Sequence, residues 1–339
     1  MNRSALLLGA RLARDQIEFA WARIAAQRLP VARREPGASL VVLDEAIRGA
    51  ARFLARRQRR NGSWKGFLLP PGGATTWLTA HVAYVLEDVG CVDDVCEKAG
   101  RYLEAVGPAA GGWGFNRDVS VDVDSTAQAL LVLNRLARPV PEALVDALLA
   151  AQLRDGGFPT YAAIGNTATG WNIAHEDVTV LAAESLRRRG FHSQATRATA
   201  WLRGRDASST YASYWWVGPA YGVWVRARAG LRSEDLQTAA AELVSTAVTT
   251  PELAQGIAAA LLVGGADEAT LRAAVQRLVS AQLADGSWSC SACLRVTDPT
   301  ELEVRLDLRG CCYSDGMRVF STAHALAALQ AARATPQAP

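Results

Sequence analysis

One ruler fits this chain at four places. From Phe53 it reads Phe53-Leu54, Gln58 and Gly62-Ser63-Trp64. From Tyr102 it reads Tyr102-Leu103, Gly107 and Gly111-Gly112-Trp113. From Ala147 it reads Ala147-Leu148, Gln152 and Gly156-Gly157-Phe158, and from Arg277 it reads Arg277-Leu278, Gln282 and Gly286-Ser287-Trp288. A weaker copy begins at Trp201-Leu202. The starts lie 49, 45 and 130 residues apart, and the wide gap holds two degenerate copies, which makes six units. Self-similarity at such a period is the mark of a repeat architecture, in which each unit buries its apolar face against its neighbours.

The local chemistry of each copy agrees. A helix ends, the chain turns at Asn61-Gly62, Asp155-Gly156 or Asp285-Gly286, and an aromatic follows. The Gln can tie the turn to a neighbouring helix end. A second, Ala-rich helix comes after each turn: Thr76–Leu86, Asp124–Leu136, His175–Arg188, Tyr214–Ala229, Pro251–Leu262 and Phe320–Ala332. The other set is Leu43–Arg57, Val92–Ala105, Glu142–Leu153, Ser193–Arg203, Glu234–Ala247 and Glu268–Leu283. Strand patterns are nearly absent. The expected fold is all-α, a closed (α/α)6 toroid of six inner and six outer helices over residues 41–334, with a tail at 335–339.

Residues 1–40 read as an extension. Ser4–Leu29 is helical in period, with Leu6, Ala10, Ala13, Ile17, Ala20 and Ile24 forming a stripe and Arg3, Arg11, Arg14, Arg23 and Arg28 mostly off it. Such a helix either packs on the main domain or lies on an anionic membrane surface. Pro30–Ser39 reads as a linker. The first apolar stretch is too short for a secretory signal, no run reaches membrane-spanning length, and the chain reads as cytoplasmic, with peripheral membrane contact as the second reading. Half of the residues are hydrophobic and the net charge is only +3, which excludes disorder and an electrostatic nucleic-acid binder. Six cysteines are too few for a disulfide scaffold. Cys290, Cys293, Cys311 and Cys312 share one long loop, where free thiols are the simpler reading and a zinc site the other.

The aromatic–Leu–x3–Gln–x3–Gly–x–Trp units resemble the QW motifs of squalene-hopene cyclases and their relatives. The resemblance spans residues 43–333 and implies the α/α-toroid superfamily. Within it, Asp122-Val123-Asp124-Ser125-Thr126-Ala127 resembles the Asp-x-Asp-Asp-Thr-Ala acid motif of class II terpene cyclases. Asp124 matches the general acid that protonates an alkene or epoxide, Asp122 matches the first Asp, and Ser125 stands where the third Asp usually sits. Burial and a neighbouring carboxylate keep such an acid neutral, and Ser125 is expected to strengthen it by a hydrogen bond. Asp124-Ser125-Thr126 would equally serve as a plain helix cap.

The starts of the inner helices should meet at one mouth. That gathers Trp77, Trp171, Trp215, Trp216, Tyr221 and Phe320, whose faces suit carbocations, and His175-Glu176-Asp177, a polar cluster that could hold a terminating base, bind a diphosphate through a metal ion, or serve as a plain acidic helix start. His81 and His324 sit at equivalent repeat positions and read as hydrogen-bonded packing residues. The resemblance implies a small-molecule isoprenoid or polyene substrate, no nucleic acid, and no required cofactor or metal, with Mg2+ entering only for a diphosphate substrate. Because such cyclases usually pair two helical domains, the pocket must be closed by the N-terminal helix, by the Trp288–Phe320 loop, or by a partner subunit or second copy. Two other readings stand beside the cyclase: a non-catalytic toroid serving as scaffold or lipid-binding partner, and a zinc-dependent prenyltransferase β-like subunit. Gly310 and Ser125 occupy positions where the latter's zinc motifs need Asp and His.

Overall fold

The computed structural model describes residues 3–32, 40–162, 169–206, 211–302 and 311–335. Parts of the expected linker and of the 288–320 loop, and all but the first residue of the tail, lie outside the described residues. Thirteen α-helices are described: α1 (Arg3–Gln27), α2 (Leu40–Arg57), α3 (Thr76–Val85), α4 (Asp93–Ala110), α5 (Val123–Arg135), α6 (Glu142–Ala150), α7 (Glu176–Arg188), α8 (His192–Asp206), α9 (Ala220–Arg228), α10 (Glu234–Thr246), α11 (Thr250–Val263), α12 (Glu268–Ser280) and α13 (Val319–Ala334). The inner helices α3, α5, α7, α9, α11 and α13 pack each on the next, and α13 returns to α3, closing the ring. The outer helices are α2, α4, α6, α8, α10 and α12.

The repeated residues build the joints of this ring. Gln58 Nε2 donates to Gly62 O at 2.9 Å, inside its own turn, and to Val95 O at 2.7 Å, near the start of the next outer helix. Gln152 does the same with Gly156 O and Gln194 O, both at 3.0 Å. Gln282 donates to Gly286 O at 2.8 Å and to Ala46 O at 2.9 Å, so the last outer helix is fastened to the first. The aromatics are fully buried, and the indoles of Trp64, Trp113 and Trp288 donate to Leu54 O, Leu103 O and Leu278 O at 2.9, 3.0 and 2.7 Å. The second copy has Gly107 where the others have Gln; α4 runs on through this position, and a Cβ there would lie 2.2 Å from Cζ2 of Trp113.

A threonine on the inner helix sets the register. Thr79, Thr126 and Thr179 accept the backbone N–H of Trp64, Trp113 and Phe158 at 2.9, 3.3 and 2.8 Å. Two residues before each Thr stand Trp77, Asp124 and Asp177, with Phe320 before Thr322. Two residues after stand His81, Gln128 and Leu181, with His324. The repeat therefore lays down one layer at the mouth and a second layer beneath it.

Two differences from the sequence reading matter for the mouth. The fourth inner helix begins at Ala220, not Tyr214; residues 211–219 are non-helical, since Gly218 at φ 77° and Pro219 precede the first turn. Two short antiparallel hairpins also appear, β1 (Gly66–Leu69) with β2 (Gly72–Ala74), and β3 (Ala292–Val296) with β4 (Cys311–Ser314). Both are too short and too irregular to show an alternating pattern.

Candidate active site

A cavity of about 540 Å3 opens where the inner helices begin. Its floor carries Trp77, Asp122, Asp124 and Ser125. Its walls come from residues 115–120, from Thr160, Tyr161 and Trp171, from Trp215 and Trp216, from the β1–β2 turn and from strands β3 and β4. Among the described residues, the lining holds Asp118, Asp122 and Asp124 but no Lys or Arg.

Asp122 and Asp124 divide the work that one residue would otherwise do. Asp122 is the N-cap of α5: its carboxylate accepts from Ser125 N at 2.6 Å and from Ser125 Oγ at 2.8 Å. The cap leaves Asp124 free in the first helical turn, half-buried and on the cavity. The expected Ser125 bond to the acid is thus corrected, because the hydroxyl is spent on Asp122. The donors to Asp124 are Trp77 Nε1, 2.7 Å from Oδ2, and Gln128 Nε2, 2.8 Å from Oδ1. Burial pushes the Asp124 carboxyl up to about 6, against the pull of these two donors. Asp122 is pushed up to about 8 by burial and by the Asp124 charge. Two carboxyls this close titrate as a pair and hold onto a proton near neutrality.

Beneath Asp124 lies a buried polar chain that joins the hydrogen-bonded His81 and His324 of the sequence reading to Gln128, a link that reading missed. Gln128 Oε1 can only accept, so His81 Nδ1, 2.8 Å away, carries the proton. Burial pushes His81 down to about 3, so its ring is neutral and its Nε2 is bare. His324 Nε2 lies 3.0 Å from that atom and 3.3 Å from the Gln255 amide, and it donates to His81 when the Gln255 amide turns its oxygen toward it. The chain fixes the sense of the Gln128 amide, which turns its NH2 toward Asp124. The i, i+4 spacing of Asp124 and Gln128 on one helix was the available signal.

Of the aromatics expected at the mouth, Trp77, Trp171, Trp215 and Trp216 line the cavity, joined by Phe115, Tyr161 and Tyr313. Tyr221 and Phe320 do not reach it. They stack on Trp216 at 4.3 and 5.0 Å and hold its ring in place. The polar cluster is dispersed. His175 is buried and bonded to Gly170 O and Thr160 Oγ1, each at 2.8 Å, and burial pushes it down to about 4. Through Thr160 Oγ1, which accepts Trp215 Nε1 at 2.7 Å, His175 orients a wall residue without touching the cavity. Glu176 turns away to Arg205 and Arg226, at 3.2 and 2.5 Å. Asp177 is buried behind the cavity with Oδ1 unpartnered; burial and the Asp124 charge push it up to about 7.

The paired strands β3 and β4 line one wall through Leu294, Val296 and Tyr313. All six cysteines are free thiols, and among the described residues no group of three or more His, Cys, Asp or Glu side chains could hold a metal ion.

This double ring is the helical fold of the type II terpene cyclases. The chain superposes on a variant of the type II terpene cyclase MstE from Scytonema, in complex with geranylgeranyl dihydroxybenzoate, at a TM-score of 0.74 and 23% identity, covering 87% of this chain and 98% of that one. It superposes on ent-copalyl diphosphate synthase from Streptomyces platensis at a TM-score of 0.52 and 17% identity, covering 75% of this chain and 50% of that one. A possible member of the GH105 family from Klebsiella pneumoniae also matches, at a TM-score of 0.56 and 14% identity over 89% of this chain and 95% of that one, so the ring alone does not fix a reaction. No family model and no curated protein matches the chain.

Proposed function

We propose that this chain is a class II terpene cyclase in which Asp124 protonates an alkene or epoxide of a polyprenyl substrate and starts a cationic cyclisation. The observation that carries the reading is the setting of Asp124: a half-buried carboxyl on an aromatic cavity, with two N–H donors on its oxygens and a second carboxyl beside it.

The proton leaves Asp124 for one alkene carbon, and the other carbon becomes cationic. The carboxylate left behind is held by Trp77 and Gln128, which makes the neutral form a stronger acid. The growing cation meets the faces of Trp77, Trp215, Trp216 and Trp171. Loss of a proton from carbon ends the cascade, so substrate and product are isomers. Because the proton comes from a carboxyl, the initiation step needs no metal ion. The acidic lining favours a substrate without a diphosphate, and Mg2+ belongs to the reading only if a diphosphate is present. The geranylgeranyl dihydroxybenzoate of the MstE complex is the first compound to try. Asp122, as cap and proton partner of Asp124, and the positioning residues Ser125, His175, Tyr221 and Phe320 complete the proposed site.

The test is turnover by purified protein, wild type against Asp124→Asn, with geranylgeranyl dihydroxybenzoate, geranylgeranyl diphosphate and squalene, read by mass spectrometry. An isomeric cyclised product that vanishes in a folded Asp124→Asn variant is the expected result. Product that persists in the variant would overturn the assignment of the acid.

A further inference from the structure

From Ala13 onward the stripe that the sequence marks on the first helix faces solvent, with Trp21 beside it, while the side chains of Leu6 and Ala10 lie outside the described residues. Ala13, Ile17, Ala20, Trp21 and Ile24 fall within an arc of about 100° on α1. All five are exposed, Ile17 by 60%, Trp21 by 67% and Ile24 by 41%. The opposite side of α1 makes the contacts with the rest of the chain. Phe19 and Ala22 are buried, the Phe19 ring lies against Gly73 and Gly316, and Asp15 accepts from Gly73 N at 3.0 Å. Lys65 reaches Asp15, and also Glu18 at 2.8 Å. The helix therefore carries two opposed apolar faces, and among the described residues only one has a partner.

Charge says what suits the other. Arg14 and Arg23 flank the outward stripe, Arg28 follows it, and all three are exposed. Of the acids of the helix, Asp15 is buried against Lys65, and Glu18 pairs with the same Lys65 from a half-exposed position off the stripe. An apolar stripe with an interfacial Trp, whose flanks carry Arg14 and Arg23 with the uncharged Gln16 and Gln27, matches the surface of an anionic bilayer. No described helix is long and apolar enough to cross a membrane, so the contact is a lying one.

The position of α1 gives the contact a purpose. Its inner face supports the β1–β2 hairpin, whose Leu69, Pro70 and Pro71 wall the cavity, and Arg11 pairs with Asp118 on the same wall. We infer that the outward face of α1 seats the protein on anionic phospholipid, beside the mouth of the cavity. That this would present the mouth to membrane-dissolved polyprenyl substrate rests on the cyclase reading; the surface itself does not.

Flotation of the full chain with vesicles tests the inference without any turnover. Wild type is expected to float with phosphatidylcholine–phosphatidylglycerol vesicles, less with phosphatidylcholine alone, and less at high salt. Trp21→Glu and Ile17→Glu should each weaken partition roughly tenfold with circular dichroism unchanged. Arg14→Gln with Arg23→Gln should erase the preference for the anionic vesicles. Failure of wild type to float on either vesicle overturns the inference. So does a dimer in sedimentation velocity that Trp21→Glu dissolves, since a second copy would then own the face. A chain that floats but cyclises nothing would refute the cyclase and leave this surface standing.

Discussion

His81 and His324 meet Nε2 to Nε2 at 3.0 Å beneath the cavity, from equivalent positions of the first and last inner helices. One must donate and the other accept. The donor sense passes through His81 Nδ1 to the Gln128 amide and ends on Asp124.

This predicts an unusual pairing of effects. The Gln128 N–H favours the ionised form of Asp124, so Gln128→Leu should raise the Asp124 pKa and weaken the acid at once. We expect kcat to fall about tenfold while the alkaline loss of activity moves to higher pH. His81→Phe, which frees the amide to turn, should act in the same direction. A kcat–pH profile for each variant is the measurement, and an unmoved alkaline limb would leave the chain a packing device only.

Wild-type turnover itself should depend on pH in one sense. The neutral carboxyl is the reactive form, and burial raises its pKa to about 6. Activity is therefore highest below that value and declines as pH rises through it. A rate that climbs across the same range would point to a base, not an acid, as the working group.

Asp177 offers a stability readout. Its carboxyl is raised to about 7 by burial and the Asp124 charge, so the folded state holds a proton that the unfolded chain has released. Stability then falls as pH rises from the unfolded value, about 4, to the folded one. Asp177→Asn removes this contribution. Thermal unfolding should show a smaller drop in Tm from the acid side to the alkaline side of neutrality in the variant than in wild type.

Gln282 is the fully buried fastening of the ring, while Gln152 is a half-buried one. Gln282→Ala strands the carbonyls of Ala46 and Gly286 in the interior. We expect a loss of about 2 kcal/mol for Gln282→Ala and about 1 kcal/mol for Gln152→Ala by urea unfolding. Equal losses would mean that the closing seam is no different from the others.

Much of the ring was legible because a repeat states the same physics several times. Inner and outer helices fall within a few residues of their expected bounds, except where Gly218-Pro219 delays α9 and releases Trp215 and Trp216 from a helix into the wall. The place of Asp124 on the cavity was legible from the acid-motif resemblance, and the structure sets it two residues before the register threonine. The dispersal of His175, Glu176 and Asp177 was not, since adjacency in sequence says nothing of partners such as Gly170, Arg226 or the Asp124 charge. The α1 stripe was read correctly as apolar. Its outward direction depended on Phe19, Ala22 and Asp15, which a one-face reading overlooks.

The Gln282–Ala46 bond spans 236 residues, and that span has a consequence during synthesis. Each earlier joint can form as soon as its own hairpin and the next outer helix have left the ribosome. The flank of α2 that α13 covers has no such neighbour until nearly the whole ring has been made. For that interval the nascent chain is an open crescent with two apolar ends, and its last step is an end-to-end docking slowed by the entropy of closing so long a loop. A holdase chaperone that covers α2 would serve this chain best in that window.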